Sequence, residues 1–173
     1  MLDPYYCREI VVMAQIPIDV NEVANLTALG VNPANINFKC VTMESDKYVC
    51  IREDAPQGAS LTVVDLANGN EVSRMPMAAE STIMNPEKKI VALRKGPALQ
   101  VFDLESKSKV CSFKLPDNSV VVFWSWIDAK TIAIVTQTSV FHWSIEGESN
   151  PRKVMDRHPN LASFQIINYR VSP

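Results

Sequence analysis

Apolar residues along this chain come in short runs. The clearest set lies between Thr82 and Leu115, TIMNPEKKIVALRKGPALQVFDLESKSKVCSFKL. Three runs (Ile90–Leu93, Leu99–Leu104 and Val110–Leu115) are separated by polar breaks holding Lys, Gly-Pro and Ser. Runs this short, rich in Ile, Val and Phe, predict strands, because branched and aromatic side chains suit a half-buried pleated surface. The breaks are too short for crossover helices, so the strands should pair antiparallel.

The pattern recurs. Upstream stand TMESDKYVCIRE, LTVVDL and EVSRMP; downstream stand SWIDAKTIAIVTQ, SVFHWSI and PRKVMDR. Aligning Lys47, Lys89 and Lys130 gives steps of 42 and 41 residues. Met43, Met84 and Trp126 give 41 and 42, and Asp65, Asp103 and Ser144 give 38 and 41. A period near forty with several strands per unit predicts an all-β array of four-stranded antiparallel blades, a β-propeller. Helical repeats of similar period need apolar spacings of three and four, which these units lack.

The units fall at about 39–77, 78–116 and 117–158, and a fourth begins within 159–173, its first strand read in SFQIINYR after Ala162. Asn168 follows Trp126 by 42 residues, the same place in the next repeat. Phe38 is read as the start of the first unit's inner strand. Three units and a fraction cannot close a ring, so an incomplete, open propeller is expected over 13–173, with sheet faces and edges left to self-associate. Residues 1–12 read as an extension whose status the sequence leaves open, since a second start, Met13-Ala-Gln, follows it.

Composition narrows the function. Hydrophobic residues make up 47% and charged residues 21%, which fits a folded chain. A net charge of −2 gives no electrostatic case for nucleic acid or for an anionic membrane surface. No apolar run reaches transmembrane length, and residues 1–12 make a poor signal peptide. Cys7, Cys40, Cys50 and Cys111 form no CxxC and no zinc spacing; the last three read as small thiols within strands. Asn25-Leu26-Thr27 is a formal glycosylation sequon, expected to be unused. His142 and His158 lack partner motifs, and there is no GxSxG, HExxH or phosphate loop, so neither an enzyme nor a cofactor site is expected.

Several strings, in order, resemble the amino-terminal domain of the clathrin heavy chain family. They are TMESDK (Thr42–Lys47) with YVCIRE after it, IMNP (Ile83–Pro86), LQVFDLE (Leu99–Glu105), FWSWI (Phe123–Ile127), HWSIEGES (His142–Ser149), DRH (Asp156–His158) and QIINYR (Gln165–Arg170). The resemblance runs from about Met13 to Arg170, in one register apart from a small insertion near Asn118–Val122.

The resemblance implies the first three blades, and the start of the fourth, of a seven-bladed propeller at the foot of a coat-forming subunit. It implies capture of short peptides from adaptor proteins in vesicle transport and endocytosis, on the cytoplasmic side of coated pits and vesicles. Membrane contact would be indirect, through adaptors, and light-chain and heavy-chain partners would use regions outside this chain. It also implies a groove between the first two blades for apolar–acidic peptides. Met77, Val91 and Phe102 would be its apolar lining, Gln100 a polar contact, and Lys107 and Lys109 its positive rim. On residue type alone, Val91 and Phe102 equally suit packing between any two blades, and Lys107 and Lys109 an ordinary solvated turn.

The family pattern has arginine at Met75, isoleucine at Met77 and Val91, and threonine at Ala98, so a weakened or altered groove is expected. A second implied site, for Trp-containing peptides near the propeller axis, maps to Phe38, Gln165 and Ile167, and is expected to be incomplete here. Two other readings stay open: a truncated competitor that binds adaptor peptides without building coats, and a non-functional gene fragment.

Overall fold

The computed structural model describes residues 18–55, 58–116, 119–147 and 150–171. They form three four-stranded antiparallel sheets, each a meander in which strands pair with their sequence neighbours. The first holds β1 (Val41–Thr42), β2 (Tyr48–Ala55), β3 (Gly58–Asp65) and β4 (Glu71–Pro76). The second holds β5 (Ser81–Met84), β6 (Ile90–Lys95), β7 (Ala98–Asp103) and β8 (Ser108–Lys114). The third holds β9 (Val121–Trp126), β10 (Thr131–Thr136), β11 (Ser139–Ser144) and β12 (Arg152–Asp156). Helix among the described residues amounts to two 3-10 turns, Pro33–Asn35 and Pro159–Leu161. The all-β expectation holds, and the array is open.

The near-continuous apolar character of the second strands has a packing cause. In β6, Ile90 and Ala92 face the third sheet, joining Leu99, Val101, Trp124, Trp126, Ile132, Ile134 and Trp143 in one core. Val91 and Leu93 face the other way, against Cys50, Leu61 and Val63 of the first sheet. Successive side chains of a strand point to opposite faces, so a strand buried on both sides must be apolar throughout. The outermost strands are not sandwiched: every residue of β12 is exposed. Between β6 and β7, Gly96 takes φ +56° at the first central position of a two-residue hairpin closed by the Lys95–Ala98 pair, a conformation that favours glycine.

Corresponding polar residues tie the sheets together. Lys47, Lys89 and Lys130 each stand one residue before a second strand. Their carbonyls accept hydrogen bonds from Leu66, Leu104 and Ile145 at 2.8, 2.9 and 2.9 Å. Asp65 and Asp103 each accept two backbone N–H bonds from the turn that follows, and Ser144 accepts one. Between sheets, Ser45 donates to the Pro86 carbonyl at 2.8 Å and Asn85 to the Ala129 carbonyl at 2.9 Å. The Trp124 indole donates to Ser81 and the Trp126 indole to the Ile83 carbonyl.

The face of the first sheet turned away from the second is not bare. Val49, Ile51 and Val64 are covered there by Leu26, Leu29 and Val31. On the third sheet, Tyr169 reaches back from the carboxy-terminal segment to His142, hydroxyl to Nε2 at 2.8 Å.

Three expectations are corrected. Phe38 does not begin an inner strand: Asn37 caps a turn over 37–40, with its side chain accepting from Lys39 N and its carbonyl from Cys40 N and Val41 N, and β1 starts only at Val41. Cys40 lies in that same turn, not in a strand. Residues 163–171 form no strand, since no neighbouring strand pairs with them among the described residues.

Candidate functional site

Where β4 of the first sheet approaches the β7–β8 turn of the second, a cleft of about 610 Å³ opens. Its walls are Ser73 to Met77 on one side and Phe102, Asp103, Leu104 and Lys107 on the other. Alternation along the strand brings Met75 and Met77 to the same face. There they pack, half-buried, against the core shared by the first two sheets, as do Phe102 and Leu104.

Of the six residues implied for the first groove, Met77, Phe102 and Lys107 line this cleft. Val91 lies beneath it, fully buried among Met84, Leu61 and Val63. Gln100 lines a separate hollow of about 150 Å³ with Ala78, Leu93, Lys95 and Ala98. Lys109 is exposed on β8 and lines neither. Arg74 and Leu104 enter the wall without having been singled out from sequence; counting back in twos from Met77 finds Met75 and Ser73, while Arg74 carried no such signal. Arg74 donates to the Leu29 carbonyl at 2.9 Å, which anchors its guanidinium toward the amino-terminal segment. Lys107 adopts φ +53°, the left-handed region, at the turn into β8.

A second cleft, about 630 Å³, lies between the β1–β2 turn, β9 and the carboxy-terminal segment, and includes Met43, Glu44, Trp126, Ile167 and Arg170. Of the second implied set, Ile167 lines it, 91% exposed, whereas Phe38 is fully exposed in its turn and Gln165 is exposed elsewhere on the segment. Glu44 is open to solvent at the cleft mouth, yet the walls crowd its carboxyl, and this desolvation raises its pKa to about 7.

Cys50 and Cys111 are not poised for chemistry. Burial pushes Cys50 up to about 12 and Cys111 up to about 11, so both stay protonated at neutral pH. Among the described residues no group of three or more His, Cys, Asp or Glu is placed to hold a metal ion. No helix among them is long and apolar enough to cross a membrane.

Stacked four-stranded meanders of this kind define a propeller-type repeat protein, and a solved β-propeller shares the arrangement. The β-propeller domain of Cps50 (Swd1) from Myceliophteria thermophila superposes with a TM-score of 0.51 at 9% identity, over 68% of this chain and 37% of that one, a likeness of fold alone. Sequence is more particular. Residues 30–66 match the clathrin propeller repeat family. Clathrin heavy chain 2 of Homo sapiens is 46% identical over 159 residues, 91% of this chain and 10% of that protein. The clathrin heavy chain of Drosophila melanogaster is 45% identical over 155 residues, 90% of this chain and 9% of that protein. The probable clathrin heavy chain of Schizosaccharomyces pombe is 47% identical over 157 residues, again 90% and 9%. The chain is thus similar to clathrin heavy chains over about nine tenths of its own length, and spans about a tenth of the length of the curated relatives it matches.

Proposed function

We propose that this chain is the peptide-capturing end of a vesicle coat subunit, and that the cleft between its first two sheets takes short apolar–acidic segments of adaptor proteins. One observation carries the reading: Met77 and Phe102 share one cleft, with Lys107 at its rim. An extended peptide lays its apolar side chains on that half-buried floor and its carboxylates toward the lysine. A rim ion pair in water contributes about 0.2–1 kcal/mol, so apolar burial supplies most of the affinity and the charge mainly sets direction and on-rate. Single sites of this kind bind weakly, and several motifs on one adaptor raise the overall strength through effective concentration. Lys109 adds positive charge further along β8, and Gln100 offers a polar contact in the neighbouring hollow. Met75 and Ala98, where the family pattern has arginine and threonine, weaken or alter this groove.

The cleft around Ile167 is the corresponding candidate for Trp-containing peptides, an incomplete one, since Phe38 and Gln165 do not line it. The role is one of binding rather than catalysis, exerted on the cytoplasmic face of coated pits and vesicles. Contact with the membrane passes through adaptors. Light-chain and heavy-chain partners belong to regions outside this chain.

Isothermal titration of the 173-residue chain with an acidic, Leu-rich adaptor peptide tests the first cleft. Saturable binding is expected, reduced at least tenfold by Phe102→Ala and lowered again by Lys107→Glu. Binding that neither substitution changes would refute the assignment.

A further inference from the structure

Two methionines stand in the lining of the first cleft. Met75 of β4 and Met77, one residue past its end, are half-buried in the cleft wall and pack in one cluster with Phe102 and Leu104. A thioether on an unbranched chain with three rotatable bonds reshapes itself around a ligand, and its sulfur makes favourable contacts with aromatic ring edges. The cleft volume, about 610 Å³, lies within the range of about 300–1,000 Å³ of sites that enclose ligands with large groups. Its charged lining is Arg74 and Lys107 against one carboxylate, Asp103. Asp103 is already engaged, accepting from the Glu105 and Ser106 backbone N–H groups at 2.8 and 3.3 Å. Arg74 is turned toward the Leu29 carbonyl, so Lys107 is the cation that meets an acidic ligand.

We infer that this cleft selects acidic peptides whose anchor is aromatic over those with an aliphatic anchor, and that Met75 and Met77 are the specificity-determining residues. The inference rests on the peptide-capture reading above. A thioether cradle closes on a flat ring from both sides, while a leucine anchor leaves part of the cleft to water.

Fluorescence polarisation on the 173-residue chain tests this with two labelled acidic decapeptides, identical except for Phe or Leu at the anchor. The Phe peptide should bind about two- to tenfold tighter, the range that sulfur–aromatic contacts provide. In the Met75→Leu/Met77→Leu double variant, which conserves volume, that ratio should fall toward one. Equal affinities in the unsubstituted chain, or tighter binding of the Leu peptide, overturn the inference while leaving peptide capture standing. A ratio that persists in a double variant with an unchanged thermal melt overturns the assignment to the methionines. If neither peptide binds, the peptide-capture reading fails and this inference fails with it. Should the double variant not fold, the ratio in the unsubstituted chain still decides.

Discussion

The Lys89 ammonium stands 3.5 Å from the Asp65 carboxylate and joins the turn before β6 to the end of β3. It thereby fastens the second sheet to the first. Asp65 is only 3% exposed and Lys89 19%. Burial alone would raise the Asp65 pKa, but the Asn68 side chain and backbone amide, then Lys89, lower it below the usual 3.8. Asp103, at the matching position, is lowered in the same way, with its burial outweighed by the Glu105 and Ser106 backbone amides.

A carboxylate whose folded pKa is depressed stabilises the protein above its unfolded pKa, and that stability is lost as pH falls through the folded value. Asp65→Ala should therefore destabilise the chain by about 2–4 kcal/mol at neutral pH, since it leaves Lys89 and the turn amides without their acceptor. The gap in melting temperature between the unsubstituted chain and the variant should narrow between about pH 5 and about pH 2. Circular dichroism melts across that range read it directly. A gap independent of pH would mean that the charge on Asp65 contributes nothing.

Glu44 predicts the opposite slope. Its folded pKa, about 7, lies above the model-compound value of 4.5, so its contribution to stability is greatest in acid and is lost as pH rises between those values. Glu44→Gln should raise the melting temperature at pH 8 relative to the unsubstituted chain and leave it unaltered at pH 4. The effect is small because the residue is open to water, which screens it. A Glu44→Gln chain less stable than its parent at pH 8 would contradict the desolvation argument.

Val91 and Phe102 separate packing from binding. Val91 is fully buried under the first cleft, and Val91→Ala should cost about 1.5–3 kcal/mol through lost burial and a residual cavity. Phe102→Ala should act chiefly on peptide affinity, because the ring is only half-buried and lines the cleft wall. Titration at a temperature where both variants are folded should show the larger affinity loss at Phe102. The reverse order would move the binding site elsewhere.

The third sheet predicts self-association. β12 is an exposed edge strand carrying Val154 and Met155, each about half exposed, and Phe164 and Val171 are also exposed in the segment that follows it in sequence. Unpaired strand edges with apolar side chains recruit other chains. Sedimentation velocity of the 173-residue chain should show a concentration-dependent dimer or larger species, diminished by Met155→Lys. A monodisperse monomer at every concentration would rule this out.

Much of the fold was legible because repeats mark turns as well as strands. Lys47, Lys89 and Lys130 align in sequence because each carbonyl closes the same hydrogen bond, and Asp65, Asp103 and Ser144 align because each caps the same turn. Both demands are local, so a sequence states them openly. Phe38 was misread for a related reason: an apolar residue beside a strand looks like part of it, and only the Asn37 side chain and carbonyl reveal the turn.

The cleft was only partly legible. Alternation in β4 and β7 finds Met77 and Phe102, but whether Val91 lines a surface or lies under it depends on how closely two sheets approach. Arg74 is placed by a carbonyl 45 residues away, and no local pattern encodes that. Nor does apolar spacing tell which segment will cover Val49, Ile51 and Val64.

That cover, supplied by Leu26, Leu29 and Val31, gives the row of sheets a polarity. One end is stoppered from within, so a second copy gains little by docking there. Two copies of the 173-residue chain that meet at their third sheets would do so about a two-fold axis and form a pair that terminates, where head-to-tail contact would propagate as a filament.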